Sequence, residues 1–470
     1  MADMSTTALL EERVAQDPAG RLIAIPDSFG GWFDLTAQEF LDRVRGLAKG
    51  LLSAGLHTGD RIGVLCSNRF EATLVDFAAG MIGVATVPVR REAGQSEILA
   101  VLDDSGVSAM IVESAGDFAR FDELHGDLPG VLHVWQIGLS DLDKLADAGR
   151  DVSDADLDAR AAGVQASTMA GLLYSVGSDG EPMHVVVTHG SVTARARDLA
   201  AALGDAVGVE RSIVQILPAV DVNARLIVLV AVLTGTRLGH LHERDDLIEI
   251  LRSFRPTLLV GVPETFAAID EAGTARSEAS GRGTAFRQAH DVALEYATAL
   301  GRGPVPMGVR TRFAVADTLV LRGLRKSVGG QVSHIVSIAE STTLPDRLRL
   351  LMRALDVRPV EGYGVASTGG LAVIERQGDP FELPLGTVGS PLPGIEVAIE
   401  RDDEVSLRGP GISADTADGW LRTGLFGQLD DGRLTLFDRD LTRCPPGSPP
   451  PTSDRPPHPY LFGSSSPSRR

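Results

Sequence analysis

The residues from Tyr174 to His189, Tyr-Ser-Val-Gly-Ser-Asp-Gly-Glu-Pro-Met-His-Val-Val-Val-Thr-His, have the layout of a loop that holds phosphate. Gly177, Gly180 and Pro182 sit among the small hydroxyl residues Ser175 and Ser178. Glycines let successive backbone N–H groups converge on an anion. The charges contradict that shape, because the loop carries Asp179 and Glu181 and has no lysine. Two unit charges 4 Å apart interact by about 4 kcal/mol at an effective dielectric near 20. One carboxylate among phosphate oxygens would therefore oppose what the glycines favour. His240-Leu-His242 places two imidazoles on one strand face, but no third ligand accompanies them, and they read as surface histidines. Glu243 to Asp246 read as a solvated turn leading into a helix over Leu247–Phe254. A Walker lysine, a G-x-S-x-G elbow and an H-E-x-x-H pair do not occur.

The surrounding elements alternate. An apolar run, Leu172 to Val176, precedes the loop and a β-branched run, Val185 to Thr188, follows it, which predicts strand, glycine turn, strand. Leu41, Val44, Leu47, Leu51 and Leu52 recur at helical spacing within 35–58. A strand is expected over Arg61–Cys66, a helix over Glu71–Met81 and a strand over Val84–Val89, and the alternation recurs over 97–111 and 192–217. This is the rhythm of an α/β protein with largely parallel sheets. A polar stretch over about 268–308 predicts helices laid over that body. Beyond residue 386 short strands and glycine turns predict a β-rich unit over 386–443. The division expected is thus an α/β body over 1–385, the β-rich unit, and a Pro/Ser-rich tail over 444–470 that buries too little apolar area to order itself.

Composition narrows the function class. The chain has 470 residues and a formal net charge of −19, a balance that repels nucleic acid and anionic membrane, with no polybasic run to offset it. Two cysteines, Cys66 and Cys444, exclude a disulfide framework and a cysteine-based zinc site. The acidic N-terminus lacks the apolar core of a signal peptide, and the longest apolar run, Leu226 to Leu233, is far shorter than a membrane span. A soluble cytoplasmic protein is expected.

Several phrases, in order, resemble the adenylate-forming (AMP-binding) superfamily, most closely its long-chain fatty acid–CoA ligases. The family's Y-T-S-G-T-T-G-x-P-K-G loop with a following T-H pair is matched at Tyr174, Ser175, Gly177, Ser178, Gly180, Pro182, Thr188 and His189. Its L-P-L-A-H-V-F-A-R segment reads Leu217-Pro-Ala-Val-Asp-Val-Asn-Ala-Arg225, with Asp221 in place of histidine. F-R-P-T and V-P-x-x-F stand intact at Phe254–Thr257 and Val262–Phe266, and F-A-x-A-D-x-L-V at Phe313–Val320. E-G-Y-G-x-T-E reads Glu361-Gly-Tyr-Gly-Val-Ala-Ser367, and G-W-x-x-T-G-D-L-G reads Gly419-Trp-Leu-Arg-Thr-Gly-Leu-Phe-Gly427.

The resemblance implies two stacked α/β subdomains with a small β-barrel-like unit. It also implies activation of a fatty acid through an acyl-adenylate, with ATP, Mg²⁺ and CoA. The nucleotide-binding positions it implies are Ser175, Gly177, Ser178, Gly180, Thr188, Gly362, Tyr363, Gly364 and Arg439, with Tyr363 stacked on adenine. The catalytic positions it implies are all substituted. Met183 replaces the loop lysine, Asp221 a histidine, Ala366 a phosphate-contacting threonine, Ser367 the Mg-binding glutamate and Leu425 the ribose-binding aspartate. Ile338 stands where the family has pocket glycines. The family's small C-terminal domain, with its lysine, is expected to be missing, because the likeness stops near Arg443 and no lysine follows Lys326. The switch at Cys444 reads either as an out-of-frame translation of a GC-rich gene or as a partner-binding segment. Weak or absent turnover is expected, or else a non-catalytic relative that binds an acyl chain, a nucleotide or a protein.

Overall fold

The computed structural model describes residues 4–27, 30–176, 182–241, 247–376, 386–413 and 417–437. Apolar strand residues assemble them around two sheets. The smaller has six strands, in the spatial order His133–Gln136, Ala109–Val112, Arg61–Leu65, Ala85–Pro88, Met169–Val176 and Pro182–Thr188. Its first five strands are parallel, and the last two form an antiparallel pair running from Met169 opposite Thr188 to Val176 opposite Pro182. The strand, turn, strand reading of the glycine loop therefore holds for its two arms, whereas 177–181 lie outside the described residues. Central strands such as Ala109–Val112 are buried at every position, as strands covered on both faces must be.

The larger sheet has thirteen strands. Its parallel heart runs Arg21–Pro26, Arg237–His240, Ser212–Gln215, Leu258–Gly261, His334–Ala339 and Arg358–Val365. Antiparallel strands extend both sides: Trp32–Thr36 at one edge, and Gly370–Ile374 followed by the strands from Thr387 onward at the other. The late strands are hydrogen-bonded into this sheet, since Thr387–Pro391 pairs with Gly370–Ile374 on one side and Arg433–Phe437 on the other. Asp431 and Gly432, with φ of 48° and 72°, turn Leu421–Asp430 back into Arg433–Phe437, the geometry for which Asp-Gly is favoured.

Helices fill three layers. Between the sheets lie Thr6–Gln16, Ala37–Ser53, Phe70–Met81, His189–Leu203 and Val222–Thr234, which contribute to one core shared by both sheets. Val222–Thr234 is apolar over most of its surface because it is buried on nearly every side, with Asn223 and Arg225 the polar exceptions in its first turn. Ala37–Ser53 starts at a capping box between Thr36 and Glu39 and turns Phe40, Val44, Leu47 and Leu51 inward. Outside the small sheet, Gln95–Ser105 and Ala115–His125 cover a second cluster around Ile98, Leu102 and Phe121. Outside the large sheet, Pro263–Ala279, Gly283–Arg302, the helix from Met307 to Ser327 and Asp346–Ala354 cover a third, around Phe266, Ala293, Leu321 and Leu351. The polar stretch read as covering helices falls here.

Candidate functional site

A cavity of about 760 Å³ opens where strands of both sheets end. The carboxyl ends of five parallel strands reach it, with Pro88 and Val89, Ile216 to Asp221, Val262 to Thr265, Ile338 to Thr342, and Val365 and Ala366. In open α/β sheets that crevice is where ligands bind. Tyr174 enters from the small sheet, and Glu97, Ala100 and Val101 from the helix Gln95–Ser105. Among the described residues the lining is apolar and hydroxyl-bearing apart from a set of carboxylates, Glu97, Asp221, Glu264 and Glu340, and one cation, Arg90. Arg90 is already bound to Glu97 at 2.8 Å. Ile338, 1 % exposed, supplies part of the apolar wall.

Asp221 caps the helix Val222–Thr234, its Oδ1 accepting from the Asn223 amide at 2.8 Å. Burial, reinforced by the Glu340 charge, pushes its carboxyl up to about 7. Asn223 is a site residue that sequence reasoning missed. Its side chain donates to the Gly364 carbonyl at 3.0 Å and accepts from the Leu371 amide at 2.8 Å. It thereby fastens the helix to both strands of the hairpin that carries the E-G-Y-G phrase. Arg195, 5 % exposed, does the same from the next helix. Its guanidinium donates to the carbonyls of Leu371 at 2.7 Å and Pro410 at 2.8 Å. Burial lowers it to about 10.

Within the phrase itself, each residue has a structural task. Glu361, 1 % exposed, bonds the buried Arg349, which also reaches Glu375 at 2.6 Å. Burial raises Glu361 to about 7 despite Arg349. Gly364 lies against the next strand so closely that a Cβ would sit 2.3 Å from the Leu371 backbone, and one on Gly362 would meet the Val373 carbonyl at 2.9 Å. Tyr363 is 2 % exposed and packs in the shared core with its hydroxyl on Thr423, and it does not line the cavity. Ala366 does line it. Ser367 belongs to the short turn Ala366–Thr368, and its carbonyl accepts from the Ser413 amide at 2.8 Å. Leu425 is half-buried against the core.

On the glycine-loop side, Thr188 caps the helix His189–Leu203 in a reciprocal arrangement with Ser191. His189 is buried against Thr6, its Nδ1 3.1 Å from the Thr6 hydroxyl, and burial lowers it to about 4. Tyr174 donates to Asp104 at 2.6 Å, and His184 meets the same carboxylate at 3.0 Å. Gly177, Ser178, Asp179, Gly180, Glu181, His242 and Arg439 lie outside the described residues, as do the side chains of Ser175 and Met183. The structure thus brings Tyr174, Asp221 and Ala366 together around the cavity, and leaves Thr188, Gly362, Tyr363 and Gly364 in the framework behind it.

The expectation of surface histidines is corrected at His240. It is 4 % exposed, 2.8 Å from Thr73 Oγ1 on the helix Phe70–Met81 between the sheets, and lowered by burial to about 4. The exchange of strands between the two halves of the chain, which a local pattern does not record, buries it. Arg225 lies in the same seam, bound to Asp76 and Thr86 and packed over Gly171.

The residues present do not fit a magnesium ion at the place the resemblance implies. Ala366 has no side-chain oxygen, and Ser367 offers a hydroxyl where a hard cation wants a carboxylate. Among the described residues no three His, Cys, Asp or Glu side chains gather as a metal site.

The sequence and the fold have counterparts among known proteins. Residues 10–412 match the profile of the AMP-binding enzyme family. The long-chain-fatty-acid–CoA ligase FadD15 of Mycobacterium tuberculosis is 31 % identical over 425 residues, covering 87 % of this chain and 70 % of that protein. The long-chain-fatty-acid–CoA ligase heimdall of Drosophila melanogaster is 24 % identical, covering 87 % and 65 %. Among solved structures, the N-terminal domain of FACL13 from Mycobacterium tuberculosis superposes with a TM-score of 0.70 at 18 % identity, covering 92 % of this chain and all of that one. At that identity it shows the fold, the large domain of adenylate-forming enzymes. The chain belongs to the AMP-binding enzymes and, within them, to the long-chain fatty acid–CoA ligase family.

Proposed function

We propose that this polypeptide is a fatty acid–CoA ligase by descent whose cavity still accepts an acyl chain, but which forms acyl-adenylate slowly or not at all. One observation carries the reading: among the described residues four carboxylates face the cavity, and the one cation there is already spent on one of them. The volume, about 760 Å³, falls within the roughly 300–1,000 Å³ of small-molecule sites, and the apolar wall suits a hydrocarbon chain. A triphosphate entering the same space meets Asp221 and Glu340, and each close like-charge contact opposes it by up to about 4 kcal/mol. The substitution at Met183 removes a cation, and those at Ala366 and Ser367 remove the phosphate and magnesium contacts, that would offset this; Leu425 removes a ribose contact.

The test is ATP–pyrophosphate exchange with purified full-length chain, Mg²⁺ and a panel of fatty acids, beside direct titration with a fluorescent fatty acid. Saturable fatty acid binding with exchange at background is expected. Exchange well above background that disappears on Gly180→Val overturns the proposal. A joint variant carrying Met183→Lys, Asp221→His and Ser367→Glu should raise exchange if lost charge complementarity is the cause. A second reading, a purely non-catalytic binder, predicts that this variant stays silent.

A further inference from the structure

Three neighbouring parallel strands of the large sheet, Ser212–Gln215, Leu258–Gly261 and His334–Ala339, run toward the cavity, and each is followed there by a carboxylate: Asp221, Glu264 and Glu340. The same cavity has an apolar wall that includes Val89, Val101, Ile216, Val262 and Ile338. The fourth carboxylate, Glu97, is matched by Arg90 at 2.8 Å. Beyond Arg90, no cation lines the cavity among the described residues. An apolar chamber of about 760 Å³ thus has one end of strongly negative character.

Local structure explains the positions of these groups but not their charge. Asp221 caps Val222–Thr234, and Glu264 lies in the first turn of Pro263–Ala279, where it accepts from the Thr342 hydroxyl at 3.2 Å. An asparagine would cap as well as Asp221 does. It would also escape the burial and the Glu340 charge that push the Asp221 carboxyl up to about 7. Like charges gathered against an apolar wall cost stability, and such arrangements cluster where a ligand binds. No three His, Cys, Asp or Glu side chains among the described residues gather as a metal site, so a bare metal ion is not what balances them.

We infer that the cavity selects a hydrocarbon chain that carries a protonated amine, with the ammonium held at Asp221 and the chain along the apolar wall. An alkylammonium ion offers three N–H donors and no acceptor, which suits a set of carboxylates. Its chain gains from leaving water for the apolar wall. A fatty acid enters by its chain alone, because its carboxylate meets the same opposition at Asp221 and Glu340 as a triphosphate does. The formal net charge of −19 adds a field that draws cations and not anions toward the protein. This inference rests on the reading that the cavity accepts an acyl chain, and it specifies the head that such a chain bears.

Calorimetric titration of the full chain at pH 8 with decylammonium, decanol and decanoate, each below its micelle concentration and without nucleotide, tests the head apart from the chain. Decylammonium should bind about ten- to a hundred-fold more tightly than decanol, the range of a hydrogen bond between charged groups, and decanoate more weakly than decanol. Asp221→Asn, which keeps the helix cap, should lose about ten-fold for decylammonium and leave decanol unchanged. Glu340→Gln should weaken decylammonium as well. Asp430→Asn, at an exposed carboxylate outside the cavity, should change none of the three. At pH 5, where Asp221 is protonated, the wild type and Asp221→Asn should bind decylammonium alike. Decanol binding without a preference for the amine overturns the inference and leaves the acyl-chain reading standing. Failure of all three ligands to bind overturns both. A preference for the amine that survives Asp221→Asn and Glu340→Gln, or that Asp430→Asn weakens equally, also overturns the inference, since it marks general attraction to an acidic surface.

Discussion

Asp221 shows how one side chain can carry both a structural and a chemical signal. As the cap of Val222–Thr234 it stabilises the helix, yet as a carboxylate beside Glu340 in a cavity it is held up to about 7. In the unfolded chain an aspartate titrates near 3.9. The folded protein therefore holds this proton more tightly, and ionisation destabilises it. The penalty is complete above about pH 7, shrinks as pH falls through the folded value and is gone below about 4. Asn caps as well as Asp. Asp221→Asn should accordingly raise stability by about 2 kcal/mol at pH 8 and leave it nearly unchanged at pH 4, as read from thermal melts across pH. An equal effect at both pH values would sink the assignment. Gly364 belongs at the same scale. A Cβ there would lie 2.3 Å from the Leu371 backbone, so Gly364→Ala should cost about 3 kcal/mol or more in urea unfolding.

Among the elements, the decisive joint is that between the helix Val222–Thr234 and the hairpin of Arg358–Val365 with Gly370–Ile374. Asn223 bonds both strands of the hairpin, at the Gly364 carbonyl and the Leu371 amide. Removing it leaves two buried backbone groups unsatisfied, so Asn223→Ala should destabilise by about 2–4 kcal/mol and shift the urea midpoint accordingly. Behind the hairpin, Arg349 stands between Glu361 and Glu375. Arg349→Met leaves two buried carboxylates facing each other and should cost about 3–5 kcal/mol, whereas Glu361→Gln, which keeps the shape, should cost much less. Equal losses in the two variants would contradict the central role of the cation. The capping boxes, Thr36 with Glu39 and Thr188 with Ser191, were not read from the sequence, although the first carries its signature within four residues. Asn223 and Arg349 carry no local signal at all, since their partners lie about 140 and 12–26 residues away.

For the whole molecule, the seam between the two sheets should set the acid limit of stability. Within it His240 bonds Thr73 on the helix Phe70–Met81, Asn68 reaches the Gln215 carbonyl at 2.6 Å, and Arg225 binds Asp76 and Thr86. His189 and His240 are both lowered by burial to about 4, against about 6.5 when unfolded. Their contribution is fully present above pH 6.5 and is lost as pH falls toward 4, by up to about 3 kcal/mol each. His240→Gln should flatten that slope in melts between pH 7 and 5. An unchanged slope would show that the seam is not the acid-sensitive part.

The sequence by itself determined the class of this protein. Its apolar runs and glycine turns are local signals for alternating strands and helices, and the ordered phrases from Tyr174 to Gly427 identify the family. The substitutions at Asp221, Ala366, Ser367 and Leu425 were equally legible, since they need only an identity at a position. Only the tertiary structure decided which of those positions face the cavity. Tyr363 turned into the core, Thr188 into a helix cap, and Asp221 and Ala366 into the cavity wall. It also paired Arg21–Pro26 with Arg237–His240, burying a histidine that local pattern assigned to the surface. The physical reason is range: caps, turns and periodicity act over a few residues, whereas burial, desolvation and the neighbours that shift a charge come from segments two hundred residues apart.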